Sequence, residues 1–500
     1  MTAWVVLASL IVGCGGTAEP GGSPAAHSRG SLRSTPATQS SPATQSTAAT
    51  RSAAEEQGSQ EASHEQPEPA RPRSLADLLD VPAADLQEVR GPAPLEVDEA
   101  RAAEAGIRKV AGERLMLFTD LVPDEEVDVL PEVFFQAFPQ WCSYSGIDPA
   151  DHRGWKMTGF LMKDADAFRR AGLLPEELPP FEHGFSQDHD LWLYEQPSAY
   201  YRRHLLLHEG THGFMNTILG GSGPPWYMEG MAELLGTHRW REGRLTLNHM
   251  PQSRDEVPMW GRIKIIQDDF AAHQAKTLQT VLEYGPQAHL RTEPYGWCWA
   301  AAALLDRHPR YRERFRQLPR LLAEPDFSGR FHRLMGDDWD TLPEQWQVFI
   351  AELEYGHDIA RTAIDFTPGR PPAEEGESVD VSADRGWQNS GLRLEAGAKY
   401  RIRASGRYQV ADQPQIWWCE PGGVSIRYYK GRPLGMLLAA VRAEPALPGE
   451  PIALISPIAV GLETTLTPAH PGTLFLRIND SSAELSDNAG TLSVHIRAAK

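Results

Sequence analysis

Two histidines one helical turn apart carry the clearest chemical signal in this chain. His208, Glu209 and His212 form the pattern H-E-x-x-H. Four residues of α-helix turn the chain through roughly 400°, so both imidazoles project from nearly the same face and can reach one tetrahedral zinc ion. Glu209 points in a neighbouring direction, towards a water molecule that the ion would hold. Carboxylate and metal together can make that water a nucleophile near neutral pH.

The residues around the motif predict the helix that it requires. Residues 198–219 place apolar side chains at helical spacing. Gly210 is a poor helix former, but a glycine beside a metal lets the backbone of a substrate approach. The glycine- and proline-rich residues 220–225 then end the helix.

A second short segment supplies the third ligand that a zinc hydrolase needs. Glu229 is the best candidate, and Glu233 lies one helical turn further on the same face, where it could orient a ligand histidine. The alternative for both glutamates is a solvated helix face. His204 precedes His208 by one turn, but a fourth protein ligand would leave no room for water. His204 is therefore interpreted as a helix-surface or supporting histidine.

The order H-E-G-T-H and then W-Y-M-E-G-M-A-E resembles the gluzincin metallopeptidases, especially their peptidase MA-like bacterial members. This resemblance implies His208, His212 and Glu229 as zinc ligands, Glu209 as general base and Glu233 as the carboxylate that orients a ligand histidine. It also implies a later tyrosine that stabilises the oxyanion. Tyr295, at the start of a predicted helix, is the candidate, and its alternative is an ordinary core position.

An extended segment before the zinc helix completes the expected cleft. Residues 188–195 mix apolar and polar side chains and predict a strand. Gluzincin-like folds place an edge strand here, to which an extended peptide can add as a further strand. We therefore expect residues 188–195 to form the edge of a sheet.

The beginning of the chain predicts export and a lipid anchor. An apolar run too short to cross a membrane ends at Cys14 in a sequence that resembles the bacterial lipobox. No lysine or arginine precedes the run, so the usual positive region of a signal is missing. The alternatives are an ordinary cleaved signal, which implies secretion, and a buried N-terminal segment. Residues 15–74 are rich in Ala, Ser, Thr and Pro and predict a disordered tether.

The charge and the cysteine content of the chain argue against nucleic-acid binding, anionic-membrane binding and a disulfide-rich fold. The net charge of −19 argues against binding of nucleic acid or an anionic membrane through a basic patch. Apart from Cys14, the chain has Cys142, Cys298 and Cys419, without a C-x-x-C pair. A disulfide framework is therefore not expected, although a single bridge between Cys142 and Cys298 is open.

A second domain follows the proline- and glycine-rich residues 367–378. From residue 379 to residue 500 short apolar strands alternate with turns, which predicts a β-sandwich. This region resembles the small calcium-dependent galactose-binding lectins of bacteria, through residues 386–391, 433–438 and 479–490. The loop after Tyr408 lacks the histidine and glutamine that contact sugar in those lectins, so the resemblance does not predict galactose binding.

The last of these stretches carries oxygen ligands suited to Ca²⁺. Asp480, Asp487 and Asn488 offer side-chain oxygens from one loop. The lectin resemblance implies that the backbone carbonyls of Glu484 and Tyr408 complete the site. The alternative is that the acidic and amide side chains only shape the turns of the loop.

The sequence thus predicts a multidomain protein, in which residues 75–366 form an α+β zincin-like metallopeptidase domain and residues 379–500 an all-β jelly-roll-like sandwich. The predicted function is a zinc-dependent hydrolase of peptides or proteins, anchored at the bacterial cell envelope through Cys14. Its accessory domain would bind Ca²⁺ and hold a glycan or another surface ligand. The alternatives are an inactive peptidase-like binding or adhesion protein and a zinc hydrolase of a non-protein amide.

Overall fold

The computed structural model describes residues 95–288, 291–447 and 449–499. The expected signal, Cys14 and the expected tether lie outside the described residues. A mixed region of helices and strands, residues 95–353, comes first, and an all-strand region, residues 377–498, follows it. Among the described residues, no helix combines the length and apolar character needed to cross a membrane.

A five-stranded mixed sheet forms one layer of the first region. Its strands are Arg108–Ala111 (β1), Leu115–Thr119 (β2), Met157–Met162 (β3), Gly184–Gln187 (β4) and Asp190–Tyr194 (β5). The order across the sheet is β1-β2-β3-β5-β4, with β2, β3 and β5 parallel and both outer strands antiparallel. The central strands are buried on both faces because helices cover the sheet.

The prediction that residues 188–195 form the edge of the sheet is wrong by one strand. Residues 188–195 do form a strand over Asp190–Tyr194, but β4 lies outside it. The chain reverses at Asp188, whose φ of 50° is left-handed, so the preceding residues fold back along β5. The edge of the sheet is therefore β4, a short strand that the sequence pattern did not reveal.

Helices form the rest of the first region. They are Glu99–Glu104 (α1), Glu125–Asp128 (α2), Leu130–Ser145 (α3), Ala165–Ala171 (α4), Ala199–Thr217 (α5), Pro225–Gly236 (α6), Arg262–Ala271 (α7), Leu278–Leu282 (α8), Thr292–Arg307 (α9), Arg312–Phe315 (α10), Phe327–Met335 (α11) and Leu342–Glu352 (α12). A hairpin of His238–Arg241 (β6) and Arg244–Leu247 (β7) follows α6.

Two helix boundaries set the geometry of the site. The side chain of Ser198 caps the start of α5 by accepting a hydrogen bond from the backbone N–H of Tyr201 at 3.2 Å. After α5 the chain turns at Gly220, where φ is 77°, and α6 begins with Pro225 in its first turn. This short turn folds α6 back against α5.

The helix α9 packs against α6 at very short range. A Cβ atom on Gly230 would lie 2.9 Å from the carbonyl oxygen of Cys298, so only glycine allows this approach. Cys142, Cys298 and Cys419 are buried free thiols. The bridge between Cys142 and Cys298 that the sequence left open is therefore absent.

The second region consists of two four-stranded antiparallel sheets and two hairpins. Its strands are Glu377–Ser382 (β8), Gln388–Leu394 (β9), Tyr400–Ser405 (β10), Tyr408–Ala411 (β11), Trp417–Cys419 (β12), Val424–Tyr429 (β13), Arg432–Leu434 (β14), Leu437–Ala443 (β15), Ile458–Ala459 (β16), Glu463–Leu466 (β17), Gly472–Ile478 (β18) and Thr491–Ala498 (β19). The sheet orders are β17-β10-β19-β8 and β16-β15-β18-β9.

The two regions share an apolar interface. All seven residues of β18 are buried. One set of alternate side chains faces the core of the second region, and the other set faces the first region, so neither side of the strand is exposed to solvent. Phe475 packs with Val348 of α12 and with Phe366 and Trp387 in one buried cluster. The described part of the chain is thus an α+β region joined to an all-β region through a continuous core.

Candidate metal centre

Helices α5 and α6 bring three side-chain atoms to one point. His208 Nε2 and His212 Nε2 are 3.1 Å apart. Glu229 Oε2 lies 3.3 Å from the first nitrogen and 3.5 Å from the second. A tetrahedral zinc ion with bonds of about 2.05 Å separates its ligand atoms by about 3.3 Å. The three atoms therefore have the spacing of one face of a zinc tetrahedron, which leaves the fourth corner for water.

The chemistry of this donor set also fits a cation. Glu229 is 4 % exposed, and its Oε2 accepts no well-formed hydrogen bond from the described residues. Burial alone would raise the pKa of Glu229, but the His212 and His208 imidazoles outweigh it and lower the pKa to about 2. Glu229 is thus an anion at neutral pH, as a zinc ligand must be.

Glu233 lies behind His208 and is fully buried. Its Oε1 is 3.4 Å from His208 Nδ1. Arg262 donates two hydrogen bonds to this carboxylate, at 3.0 and 2.8 Å, and Trp260 Nε1 donates a third at 3.3 Å. Burial alone would raise the pKa of Glu233, but Arg262 and then His204 lower it well below its usual range. Glu233 is therefore an anion in position to orient His208.

His204 is a buried residue behind the centre and does not reach the point where the three ligand atoms meet. Its Nε2 lies 3.5 Å from Glu233 Oε2, and its ring stacks on Tyr201 with 5.5 Å between centroids. His204, His208 and Glu233 are close enough to form a second group of metal ligands. Both carboxylate oxygens of Glu233 are already bound by Arg262, so this second group is not open to a metal.

Glu209 lies beside the edge strand β4. A Cβ atom on Gly184 would come within 2.7 Å of Glu209 Oε1, so the backbone of β4 runs directly past the carboxylate. Burial raises the pKa of Glu209 above its usual range, although the His208 and His212 imidazoles and a hydrogen bond from Ser186 act against it. A raised pKa brings this carboxyl group nearer to the range in which it can both accept and return a proton.

Gly210 does not have the function that the sequence suggested. A Cβ atom at this position would lie 2.5 Å from Phe134 Cε2 and 2.9 Å from Trp141 Cη2. Gly210 therefore faces the aromatic core between α5 and α3, away from any substrate. This position requires glycine because of its small size, which lets Phe134 and Trp141 pack against the helix, and not because of its conformational freedom.

Tyr295 lies in the first turn of α9 and faces the centre. Its ring centroid is 5.7 Å from that of His208, and the Arg262 guanidinium carbon lies 5.4 Å from the tyrosine ring centroid. Burial first, and then the carboxylates of Glu229 and Glu209, raise the pKa of Tyr295 well above its usual range. Its hydroxyl group therefore stays protonated and can donate a hydrogen bond at any pH at which the protein would act.

Several residues of the site were not identified from the sequence. Gly184, Ser186, Trp260 and Arg262 lie on β4 and at the start of α7, and none belongs to a recognisable motif. The sequence held one indication for Arg262, because it begins a helix whose apolar residues indicate a buried face. An arginine on such a face almost always has a carboxylate partner.

Two of the predicted calcium ligands, Asp480 and Asn488, contact each other in the loop after β18, and Asp487 lies next to Asn488 in the sequence. Asp480 is fully buried, and its Oδ2 accepts a hydrogen bond from Asn488 Nδ2 at 2.8 Å. Asp487 Oδ1 and Asn488 Oδ1 are buried without hydrogen-bond partners among the described residues. Burial raises the pKa of Asp480 to about 6. Buried oxygen atoms that lack donors are suited to a hard cation.

Two further predicted ligands lie next to this loop. Gln409 pairs with Ala489 in an isolated β-bridge, which brings the adjacent Tyr408 beside the loop. The Glu484 carboxylate is bound by Arg427 through hydrogen bonds of 2.8 and 3.0 Å. The side chain of Glu484 is therefore engaged, and its backbone carbonyl, which is the group that the prediction requires, accepts a hydrogen bond from the backbone N–H of Asp487 at 3.3 Å.

Comparisons with known proteins identify no family. No protein-family model matches the chain, and no curated protein matches it. Among solved structures, the EclA N-terminal domain, a PllA-like lectin, shares 25 % identity with a TM-score of 0.20 over 25 % of this chain and all of that domain. IMPa from Pseudomonas aeruginosa, in complex with an O-glycopeptide, shares 10 % identity with a TM-score of 0.17 over 80 % of this chain and 44 % of IMPa. Scores this low support no argument about function.

Proposed function

We propose that this protein is a zinc-dependent hydrolase, of the gluzincin type, that cleaves peptide bonds. The observation that carries the proposal is the spacing of His208 Nε2, His212 Nε2 and Glu229 Oε2, between 3.1 and 3.5 Å, which fits one face of a zinc tetrahedron. In the proposed fold, α5, α6 and the five-stranded sheet form a zincin-like domain, and the second region is a jelly-roll-like sandwich.

The proposed chemistry divides among four residues of the chain. A zinc ion bound by His208, His212 and Glu229 supplies Lewis acidity, which polarises a carbonyl group and acidifies water. Glu209 takes the proton from the attacking water and later delivers it to the leaving nitrogen. Because burial raises its pKa, Glu209 is a better proton donor in the second step than an exposed glutamate would be.

Tyr295 and Glu233 support this reaction without exchanging protons with the substrate. The Tyr295 hydroxyl group donates a hydrogen bond to the oxygen on which negative charge develops. Glu233 holds His208 in the tautomer whose Nε2 faces the zinc site, because His208 Nδ1 lies 3.4 Å from the Glu233 carboxylate.

The edge strand favours a peptide over other amides. Among the described residues, β4 pairs only with β5, so its outer edge is open to an extended chain. This edge runs past Glu209, since Gly184 has no side chain that would separate the two. A peptide that adds to β4 as a further strand would present its backbone carbonyl groups beside the general base.

The proposal is tested with the full chain and its Glu209→Gln variant, by measuring zinc content and the cleavage of casein and of a peptide library. We expect about one zinc ion in each protein and a rate for the variant that is lower by about 10²- to 10⁴-fold, as for the loss of a general base. Zinc without cleavage in the parent would favour a non-protein amide as substrate. Absence of zinc would favour an inactive binding or adhesion protein.

We further propose that the second region is a calcium-dependent, lectin-like accessory domain that binds a glycan or another surface ligand. The orphaned oxygens of Asp487 and Asn488 beside buried Asp480 support the calcium site. Calorimetric titration with CaCl₂ should detect one site in the parent and none in Asp480→Ala.

The proposed location is the bacterial cell envelope, through lipid on Cys14, with secretion as the alternative. Metabolic labelling with a lipid analogue, compared between the parent and Cys14→Ser, distinguishes the two locations.

A further inference from the structure

A large cleft lies between the two regions, apart from the proposed metal centre. Its volume is about 820 Å³, within the range of roughly 300 to 1,000 Å³ that small-molecule sites occupy. Its walls come from α3, the end of α9, residues 247–252, residues 356–360 and the loop residues Ala483 and Ser486. None of the proposed zinc ligands, nor Glu209 or Tyr295, lines this cleft. It is large enough for a disaccharide or trisaccharide.

Of the residues that the structure describes, three arginines line the cleft, and two of them have no carboxylate partner among those residues. Asp306 Oδ1 forms an ion pair with Arg316 Nε at 2.7 Å. Arg307 donates a hydrogen bond of 2.9 Å to the neutral side chain of Asn248, and neither Arg307 nor Arg312 forms an ion pair with a described residue. Burial, together with repulsion by Arg316 and Arg312, lowers the pKa of Arg307 despite the attraction of Asp306. An anion beside Arg307 and Arg312 would offset this repulsion.

The other titratable groups of the lining do not neutralise these two arginines. Asp358 Oδ2 lies 3.3 Å from Arg361 Nε, and burial lowers the pKa of His357, which keeps that imidazole neutral. The cleft therefore has an excess of positive charge, although the net charge of the chain is −19. Guanidinium groups recognise carboxylate and sulfate groups through paired hydrogen bonds.

The cleft wall that α3 and β7 form is closed to a peptide that would add as a strand. Gln136 Oε1 accepts from the backbone N–H of Leu245 at 2.9 Å, and Gln140 Oε1 accepts from that of Leu247 at 3.0 Å. Gln140 Nε2 also donates to the Leu245 carbonyl oxygen at 3.1 Å. These side chains occupy the outer edge of β7. At this wall a ligand can therefore be held by side chains, as saccharides are, but not by pairing with the backbone of β7.

We infer that this interdomain cleft binds an acidic oligosaccharide whose carboxylate or sulfate group lies between Arg307 and Arg312. Pro139, which is exposed in the same lining, would contact the C–H face of a sugar ring. None of the proposed zinc or calcium ligands lines this cleft, although its wall residues Ala483 and Ser486 belong to the proposed calcium loop. It would give the hydrolase a second contact with a glycosylated surface or substrate.

Isothermal titration calorimetry of the full chain with three related sugars tests the inference. Lactose is neutral, 3′-sialyllactose adds a carboxylate, and lactose 3′-sulfate adds a sulfate group to the same disaccharide. We expect binding of at least one charged sugar and none of lactose, and the charged sugar that binds more tightly identifies the anion. Equal binding of lactose, or no binding of either charged sugar, would overturn the inference.

Two charge-reversal variants distinguish sugar binding in the cleft from a general effect of surface charge. Arg312 is exposed and forms no ion pair within the described part of the chain, so Arg312→Glu should fold normally and weaken binding of the charged sugar by about tenfold or more. Arg170→Glu, on the exposed surface of α4, should leave binding unchanged. Glu209→Gln should also bind normally. Unchanged affinity in Arg312→Glu, or an equal loss in Arg170→Glu, contradicts the assignment.

Discussion

The carboxylate of Glu233 links the proposed zinc ligand His208 to residues that do not touch the metal. Arg262 binds both oxygens of Glu233 and lies over the ring of Tyr295, with 5.4 Å between its guanidinium carbon and the ring centroid. One guanidinium group thus contacts both the carboxylate that is proposed to orient a zinc ligand and the proposed oxyanion donor. Its planar fork matters as much as its charge, because the ammonium group of lysine lacks the rigid pair of parallel donors that matches a carboxylate.

We therefore predict that Arg262→Lys weakens zinc binding by about 10- to 100-fold, as for other residues that orient metal ligands. The measurement is a zinc titration against a fluorescent chelator, with circular dichroism to verify that the variant is folded. Lys264→Met, on the exposed side of the same helix, is the matched control. Zinc affinity that is the same in Arg262→Lys and the parent would show that Glu233 orients His208 without the arginine.

At the scale of elements, the edge strand β4 and the helix α5 meet at a glycine. Gly184 leaves no space for a Cβ atom, because Glu209 occupies it. The crowded atom is the end of a flexible side chain, so an added methyl group would move the carboxylate and leave the fold intact. Strand and helix therefore set the position of the proposed general base, Glu209, together.

Gly184→Ala should reduce the hydrolysis rate at least about tenfold, since a small displacement of a catalytic group has a large effect on rate. Zinc content and melting temperature should remain those of the parent. Gly154→Ala, where a Cβ atom would meet nothing within 4 Å, is the matched control. Full activity in Gly184→Ala would place the base elsewhere.

The loop after β18 should respond to pH through Asp480. Burial raises the pKa of Asp480 from 3.8 to about 6, so the folded chain binds this proton more tightly than the unfolded chain does. Without metal, stability therefore falls as pH rises from about 4 to 6, and the loss is complete above that range. Ca²⁺ needs the ionised carboxylate and so competes with the proton.

We predict that CaCl₂ raises the melting temperature of the zinc-loaded protein at about pH 7.5 and has little effect at about pH 5. Differential scanning fluorimetry measures both. Asp480→Asn, which keeps the shape of the side chain, should lose the calcium response at the higher pH. A calcium effect that is independent of pH, or that persists in Asp480→Asn, would argue for different ligands.

At the scale of the whole molecule, the interface between the two described regions contains buried charges beside its apolar cluster. Arg477 of β18 pairs with Glu352 of α12, with side chains only 5 % and 12 % exposed. The same arginine donates to the carbonyl oxygen of Asp480 at 2.9 Å. Glu354 accepts hydrogen bonds from Ser481 and Ser482 at 2.7 and 2.9 Å. The proposed calcium loop is therefore attached directly to the first region.

Arg477→Met should destabilise the entire described fold by about 3 to 5 kcal/mol, because Glu352 would be left as a buried charge without a partner. We expect calorimetry to show one unfolding transition in the parent and a lower one in the variant. Arg401→Met removes an exposed pair with Glu463 and should change the melting temperature very little. Two separate transitions, of which only one moves, would show that the regions unfold independently.

The local geometry of the proposed centre could be predicted from the sequence alone. The spacing of His208 and His212 is enough, because backbone hydrogen bonds within one helix determine which residues share a face. Glu229 and Glu233 could be chosen because one turn of a second helix separates them. The change to short alternating strands after residue 378 likewise indicated the all-β region, since a half-buried strand has a period of two.

Tertiary structure alone decided which distant elements complete the centre. Arg262 and Trp260 approach Glu233, and Gly184 approaches Glu209, from segments whose local sequence carries no sign of the contact. Gly210 faces aromatic core and β4 replaces β5 at the sheet edge for the same reason. Local hydrogen bonds depend on neighbours along the chain, whereas the pairing of distant elements depends on how whole apolar surfaces are buried together.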